Sequence, residues 1–127
     1  MKRIHVLLNL LFLLTTVVLQ CIVLAAPASA EMGGRIYAEW VAQIDSIVAR
    51  CGDQISVDEL KYSVLKADWN LQIAGSEGSI LKETYAIVSS IEAQSFGKHS
   101  KIYCQMMLPV VLSTFDERNP IAMKGSE

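Results

Sequence analysis

The apolar residues of the chain take up a helical period from residue 35 onward. Apolar side chains recur at steps of three and four between Ile36 and Cys51, which is typical of an amphipathic helix. Gly52 follows directly, and glycine is common where a helix ends. We therefore predict a first helix over residues 35–51.

A second helix is predicted over about residues 57–73, because Ser56 and Glu59 have the spacing of a capping box. The expected core stripe of this helix consists of Leu60, Val64, Ala67 and Leu71. A second apolar group lies on another side and consists of Tyr62, Leu65 and Trp69. A helix that is apolar on two faces is either central in its bundle or presents one face to a partner. The second group is therefore the candidate partner surface.

Two further helices are expected after a turn at residues 75–78, which contains two glycines. The third helix covers about residues 80–96, with Ser79 as its cap and Gly97 as its stop, and the fourth begins after Ser100. The third helix has a stripe of Leu81, Thr84, Val88 and Ile91, flanked by Ile80 and Ile87. The fourth carries Ile102, Tyr103, Met106, Met107, Val110 and Val111.

Pro109 interrupts the apolar pattern of the fourth helix. Proline removes a backbone hydrogen bond and clashes one turn back, so the helix must end or kink there, or residues 110–112 must be extended. From Asp116 onward the chain is polar, which predicts a mobile tail at residues 116–127. A single helical domain is then expected over residues 31–115.

Two cysteines of this domain test the helix assignments. In an up-down-up-down bundle the end of the first helix and the start of the fourth lie at the same end, which brings Cys51 and Cys104 within reach of each other. We predict an all-α fold, a small up-down bundle of about four short helices with one disulfide, Cys51–Cys104. Free thiols for redox or metal chemistry are the alternative, but no Cys-x-x-Cys pair is present.

The first thirty residues have the pattern of a secretory signal peptide. Lys2 and Arg3 precede a long apolar segment, and Ala28 and Ala30 have the small side chains that signal peptidase accepts. We predict a signal peptide over residues 1–30, cleaved after Ala30, and a periplasmic or secreted protein.

A retained membrane anchor is the alternative interpretation of the same segment. The apolar run at residues 6–26 is about 20 residues long, which is enough to span a bilayer. A lipoprotein site at Cys21 is disfavoured, because Gln20 stands where a small residue is needed.

Composition and charge exclude several classes of function. The chain has 127 residues, 52% of them hydrophobic, and a formal net charge of -2. It is too short for a multidomain enzyme and lacks the positive charge of a nucleic-acid binder. We expect no nucleic acid as a partner, and contact with a membrane only through an uncleaved N-terminal segment.

No residue pattern makes a convincing catalytic or metal site. His99 has Ser100 as its neighbour, but adjacent residues in a turn seldom form a nucleophile and its base. Carboxylates that could act in pairs are Asp58, Glu59 and Asp68. The soft ligands that could suit copper are His99, Cys104, Met106 and Met107. We interpret all of these as structural or exposed side chains, and we expect no enzyme activity, metal or cofactor.

The sequence therefore favours a binding protein over an enzyme. The hypothesis is a small exported helical protein that acts by protein–protein binding, as an inhibitor, immunity protein, chaperone or envelope-assembly accessory. Self-association is the other form of binding that the sequence allows. The alternative is a membrane-tethered structural component in which residues 6–26 are kept.

Overall fold

The computed structural model describes Ser29 and residues 33–113 and 118–125. The elements in this part of the chain are α1 (Gly34–Arg50), β1 (Ile55–Val57), α2 (Glu59–Ile73), α3 (Gly78–Lys98), α4 (Tyr103–Leu112) and β2 (Ile121–Met123). The predicted helical bundle is confirmed, and a small two-stranded sheet is added to it. The predicted signal peptide at residues 1–30 lies outside the described residues, apart from Ser29.

Helix α1 is the central element of the bundle. Its side chains are buried on most sides, because α2, α3 and α4 all pack around it. The buried residues of α1 are Tyr37, Ala38, Trp40, Val41, Ala42, Ile44, Ser46 and Ile47. The core of the protein is therefore built outward from this one helix.

Contacts between side chains give the directions of α1 and α3. The Tyr85 hydroxyl donates to Asp45, and the Arg50 guanidinium lies over the Phe96 ring, 5.4 Å from its centroid. Residue numbers rise together on the two helices, so α1 and α3 run parallel.

Helix α2 runs in the opposite direction, and α4 starts from the same end of the bundle as α2. Tyr37, near the start of α1, contacts Asp68 near the end of α2, whereas Asp45 contacts Tyr62 near the start of α2. The first turn of α4 lies against the end of α1. These directions are those of the predicted up-down-up-down arrangement.

The predicted disulfide between Cys51 and Cys104 is confirmed. The two Cα atoms are 5.9 Å apart, and both side chains are buried. The bond joins the end of α1 to the first turn of α4, across a sequence separation of 53 residues. A crosslink that closes a loop of this length stabilises the fold by roughly 4 kcal/mol in the chain-entropy model.

Three details of the helix ends differ from expectation. Helix α3 begins at Gly78, so Ser79 lies inside the helix and is not its cap. Ser56 and Val57 belong to β1, and Asp58 is the residue that caps α2, where its side chain accepts a hydrogen bond from the Lys61 N–H at 3.1 Å. The capping box at Ser56 is therefore wrong, because the helix begins only at Glu59 and Asp58 is the residue directly before it. Gly97 does not end α3 either, because the helix continues to Lys98.

Helix α4 continues past Pro109 to Leu112. The proline leaves the Gln105 carbonyl without its usual helical donor, but both residues are exposed and water can take that place. The alternative of an extended segment at residues 110–112 is therefore wrong. The local cost of proline is offset by the buried side chains of Leu108 and Val111, which hold α4 against the core.

The polar segment after α4 is not a mobile tail at residues 118–125. Ile121 pairs with Val57 in an antiparallel sheet and is buried in the core. The Asn119 amide donates to the Val111 carbonyl at 2.9 Å, and the Asp58 N–H donates to the Pro120 carbonyl at 2.7 Å. The prediction of a mobile tail is therefore wrong for these residues. The buried side chain of Ile121 and a few backbone hydrogen bonds are enough to hold a short strand in place.

Candidate interaction surface

Helix α2 faces the core with the group that the sequence assigned to a partner. Leu65 and Trp69 are each only 6% exposed, and Tyr62 is partly buried. The Trp69 ring packs between Tyr37 and Tyr85, with ring centroids 5.9 and 5.2 Å away. The prediction that Tyr62, Leu65 and Trp69 form a partner surface is therefore wrong, and these residues join α2 to α1 and α3.

The charged side chains in the middle of α2 also turn toward α1. Lys66 forms a salt bridge with Asp45, with 2.5 Å between Nζ and Oδ2. Asp68 accepts a hydrogen bond from the Tyr37 hydroxyl at 2.8 Å. Both carboxylates are partly buried, so these contacts are screened less than contacts between fully exposed charges. Lys66 and Asp68 thus belong to the inner side of α2, whereas Glu59 and Lys61 in its first turn are exposed.

The predicted core stripe of α2 faces solvent instead. Leu60 is 74% exposed, Val64 62% and Leu71 72%. At 100° per residue this stripe lies roughly 160° around the helix from the buried group, and it extends for about 16 Å along the axis. The outer α2 face is defined here as Leu60, Val64, Ala67 and Leu71, all of them exposed.

Size and polar pairing explain why α2 takes this orientation. Trp69 and Tyr62 carry larger apolar surfaces than Val64 and Leu60, so their burial removes more area from water. Asp45 also needs partners for its carboxylate, and only this orientation brings Tyr62 and Lys66 to it. The signal in the sequence is Asp45 itself, an acidic residue within the apolar pattern of α1, which the periodicity of α2 alone does not reveal.

The Asp45 carboxylate joins three helices. Its Oδ1 accepts from the Tyr62 hydroxyl and its Oδ2 from the Tyr85 hydroxyl, each at 2.6 Å, in addition to the Lys66 ion pair. Burial, and then the hydrogen bond to Asp45, raise the pKa of Tyr85 to about 12 and shift the pKa of Tyr62 in the same direction. Because both carboxylate oxygens are occupied by partners, this cluster holds the bundle together and has no free base.

A second polar chain crosses the core near the disulfide. The Arg50 guanidinium donates to Ser46 Oγ at 2.7 Å, and Tyr103 donates to Glu92 Oε2. Since the single hydroxyl hydrogen of Tyr103 is used on Glu92, Ser46 must be the donor in the 2.6 Å contact between Ser46 and Tyr103. A directed chain of hydrogen bonds therefore leads from the cation of Arg50 to the buried carboxylate of Glu92.

The residues considered for catalysis or metal binding are dispersed. His99 is exposed at the end of α3, and Asp58 and Asp68 are engaged by the Lys61 N–H and by Tyr37. Cys104 is bound in the disulfide, which removes it from the candidate copper ligands. Within the described ranges, no three His, Cys, Asp or Glu side chains are placed to hold a metal ion together.

Other exposed apolar side chains are Ile36 on α1, Met123 on β2 and several on α3 and α4. Those of α4 are Ile102, just before the helix, with Met106 and Val110, which follow at steps of four. Those of α3 are Ile80, Ile87 and Ile91. Among the residues that the structure describes, no helix has the length and hydropathy to cross a membrane. The apolar surface of the described domain is thus spread over several short faces, and the outer α2 face contains the most exposed side chains of all.

Comparison with family models, with curated proteins and with solved structures finds no match to this chain. Indications of function therefore come from the side chains that this chain exposes and buries. The most unusual feature is found in the middle of α2, where the charged residues Lys66 and Asp68 contact α1. The aliphatic row of Leu60, Val64 and Leu71 is exposed on the other side of the same helix.

Proposed function

We propose that this chain is a small exported protein that acts by binding another protein through the outer α2 face. The observation that carries the proposal is the exposure of Leu60, Val64 and Leu71 in one row on a helix whose central charges point inward. Burying a large aliphatic side chain is worth about 1.5–3 kcal/mol. A partner that covers this row therefore gains several kcal/mol from burial alone.

The chemistry of the face favours an apolar helix of a protein partner. The row has the i, i+4, i+7, i+11 spacing that a single amphipathic helix can follow, and its exposed neighbours Ser63 and Asn70 are uncharged. A membrane-surface helix instead has lysine and arginine along its polar side. On α2 only Lys61 is an exposed basic residue, since Lys66 is paired with Asp45, and the chain has a net charge of -2.

Export is supported by the N-terminal pattern and by the disulfide. Disulfides persist mainly in oxidising compartments such as the periplasm and the extracellular space. The intact mass of the protein recovered from the cell envelope tests this part, and we expect a chain that begins at Glu31 with Cys51 and Cys104 bonded. A mass that includes residues 1–30 would instead favour the membrane-tethered structural component.

Site-specific crosslinking tests the binding surface directly. A photoreactive benzophenone amino acid in place of Ala67 lies in the centre of the outer α2 face, whereas the same group in place of the exposed Gln105 on α4 is a matched control. We expect a specific crosslinked protein from position 67 that position 105 does not give. The double substitution Leu60→Gln/Leu71→Gln should abolish that product.

Affinity measurements with the crosslinked protein, once purified, complete the test. Leu60→Gln/Leu71→Gln should weaken binding at least about 10-fold, since truncating central interface residues commonly costs more than 1 kcal/mol. The control pair Met106→Gln/Val110→Gln, on the exposed side of α4, should leave the affinity within about 2-fold. Equal losses for the two pairs, or no position-specific crosslink, would refute the proposed surface.

A further inference from the structure

Helix α3 presents a second exposed face that differs from that of α2. The outer α3 face is defined here as Ala86, Ile87, Ser90, Ile91, Ala93 and Gln94, all of them exposed. None of these residues is charged, and the one charged residue between positions 84 and 97 is Glu92, which is 4% exposed and bonded to Tyr103. Three turns of a surface helix are therefore without an exposed charge.

Large and small side chains lie side by side on this face. Ile87 and Ile91 are 54% and 56% exposed, and they alternate around the helix with the small residues Ala86, Ser90 and Ala93. The isoleucines also border a shallow groove of about 380 Å³ between α1 and α3. Small residues allow a second helix to approach closely, and isoleucines fill the spaces between the side chains of such a neighbour.

The two ends of the outer α3 face carry opposite charges. Glu83 lies in the second turn of α3 and Lys98 is its last residue, and both side chains are exposed. Within the described part of the chain, neither has an ion-pair partner. The face is thus a neutral apolar strip with Glu83 at one end, where the exposed Lys82 borders it, and Lys98 at the other.

We propose that a second copy of this chain binds antiparallel along the outer α3 face, around a twofold axis near Ser90 and Ile91. In this register Glu83 of each copy lies opposite Lys98 of the other, so the pair forms twice. Ile87 then lies against the segment around Gln94 of the second copy, next to the small side chain of Ala93. A closed twofold interface needs a surface that is complementary to itself, and this face has that property.

Charge selects this arrangement over the other possible occupants. A parallel pair of α3 helices would place Glu83 against Glu83 and Lys98 against Lys98, which is unfavourable at both ends. An unrelated protein would need a neutral apolar strip of its own, with a cation opposite Glu83 and an anion opposite Lys98. The inference concerns a different helix from the proposed function and does not depend on it.

Sedimentation equilibrium of the protein, purified after expression of the full chain, tests the proposal. We expect a concentration-dependent equilibrium between monomer and dimer. Ile87→Glu should raise the dimer dissociation constant at least about 10-fold, because it places two like charges near the twofold axis. Met106→Glu, on the exposed side of α4, is the matched control and should leave the constant within about 2-fold.

Charge reversal tests the register and remains informative if Ile87→Glu perturbs folding. Glu83→Lys and Lys98→Glu should each weaken the dimer a few-fold, as expected for ion pairs at the rim of an interface. The double reversal should restore the wild-type dissociation constant, since the opposite charges face each other again. A wild-type protein that stays monomeric, a dimer that responds to Met106→Glu and not to Ile87→Glu, or a double reversal without recovery would each overturn the proposal.

Discussion

Tyr103 on α4 donates its hydroxyl hydrogen to Oε2 of Glu92 on α3 at a distance of 2.5 Å, and both side chains are buried. The carboxylate of Glu92 has no other hydrogen-bond donor among the described residues, whereas Asp45 on α1 has three. The two acidic clusters therefore differ in how much each depends on a single tyrosine.

Substitution of that tyrosine should reveal the difference. We expect Tyr103→Phe to lower the free energy of unfolding by about 1–3 kcal/mol, because it leaves Glu92 buried without a donor. Tyr85→Phe is the matched control, and its effect should be smaller because Asp45 keeps Tyr62 and Lys66. Urea unfolding of the two variants and the wild type measures both values. Equal losses would show that the number of donors at each carboxylate is unimportant.

The helices and the disulfide could be predicted from the sequence because both depend on local spacing. Apolar steps of three and four define α1 without reference to the rest of the chain. The antiparallel sense of helices joined by short loops then places Cys51 and Cys104 together. These predictions need only the period of the helix and the order of its neighbours.

The orientation of α2 could not be predicted in the same way. The helix has two apolar faces with the same period, and periodicity does not indicate which of them is buried. The choice depends on contacts with distant residues, above all those of Lys66 with Asp45 and of Trp69 with Tyr37. For the same reason the spacing of Tyr62, Leu65 and Trp69 does not by itself reveal that they pack on the core.

The two faces of α2 should respond very differently to truncation. Trp69→Ala removes a buried aromatic ring between α1 and α3 and should destabilise the protein by about 3–5 kcal/mol. Leu71→Ala, two residues away on the outer α2 face, should change stability by less than about 0.5 kcal/mol. Chemical denaturation with circular dichroism detection compares the two. A folded, stable Trp69→Ala protein would contradict the burial of this side chain.

The strand after α4 should contribute to stability in spite of its short length. Ile121→Ala should lower the free energy of unfolding by about 2–4 kcal/mol, since its side chain is buried beside Val57 and the end of α4. Met123→Ala, in the same strand but with an exposed side chain, is the control and should have a small effect. If the two substitutions are equally mild in thermal unfolding, residues 118–125 do not form part of the core.

Alkaline pH should unfold the protein through its tyrosines. All four tyrosines of the chain donate hydrogen bonds to carboxylates, so their proton-bound forms are favoured in the folded state. Burial, followed by the hydrogen bond to its carboxylate, raises the pKa from the ordinary value of 10.0 to about 12 for both Tyr85 and Tyr103. The pKa values of Tyr37 and Tyr62 are raised as well, with the same leading cause.

The sign of the effect on stability follows from the number of bound protons. Between pH 10 and 12 the unfolded chain loses tyrosine protons that the folded chain keeps, so the free energy of unfolding falls as the pH rises, whereas below pH 10 this contribution is fully present. We expect the ultraviolet absorbance of tyrosinate to appear together with the loss of helix in this window, and at lower pH in urea. Tyr103→Phe removes one of the protons that the folded chain retains in this window. The free energy of unfolding of this variant should therefore fall less steeply with pH than that of the wild type. Tyrosinate absorbance that rises near pH 10 in a fully helical protein would contradict the bonded state of these hydroxyls.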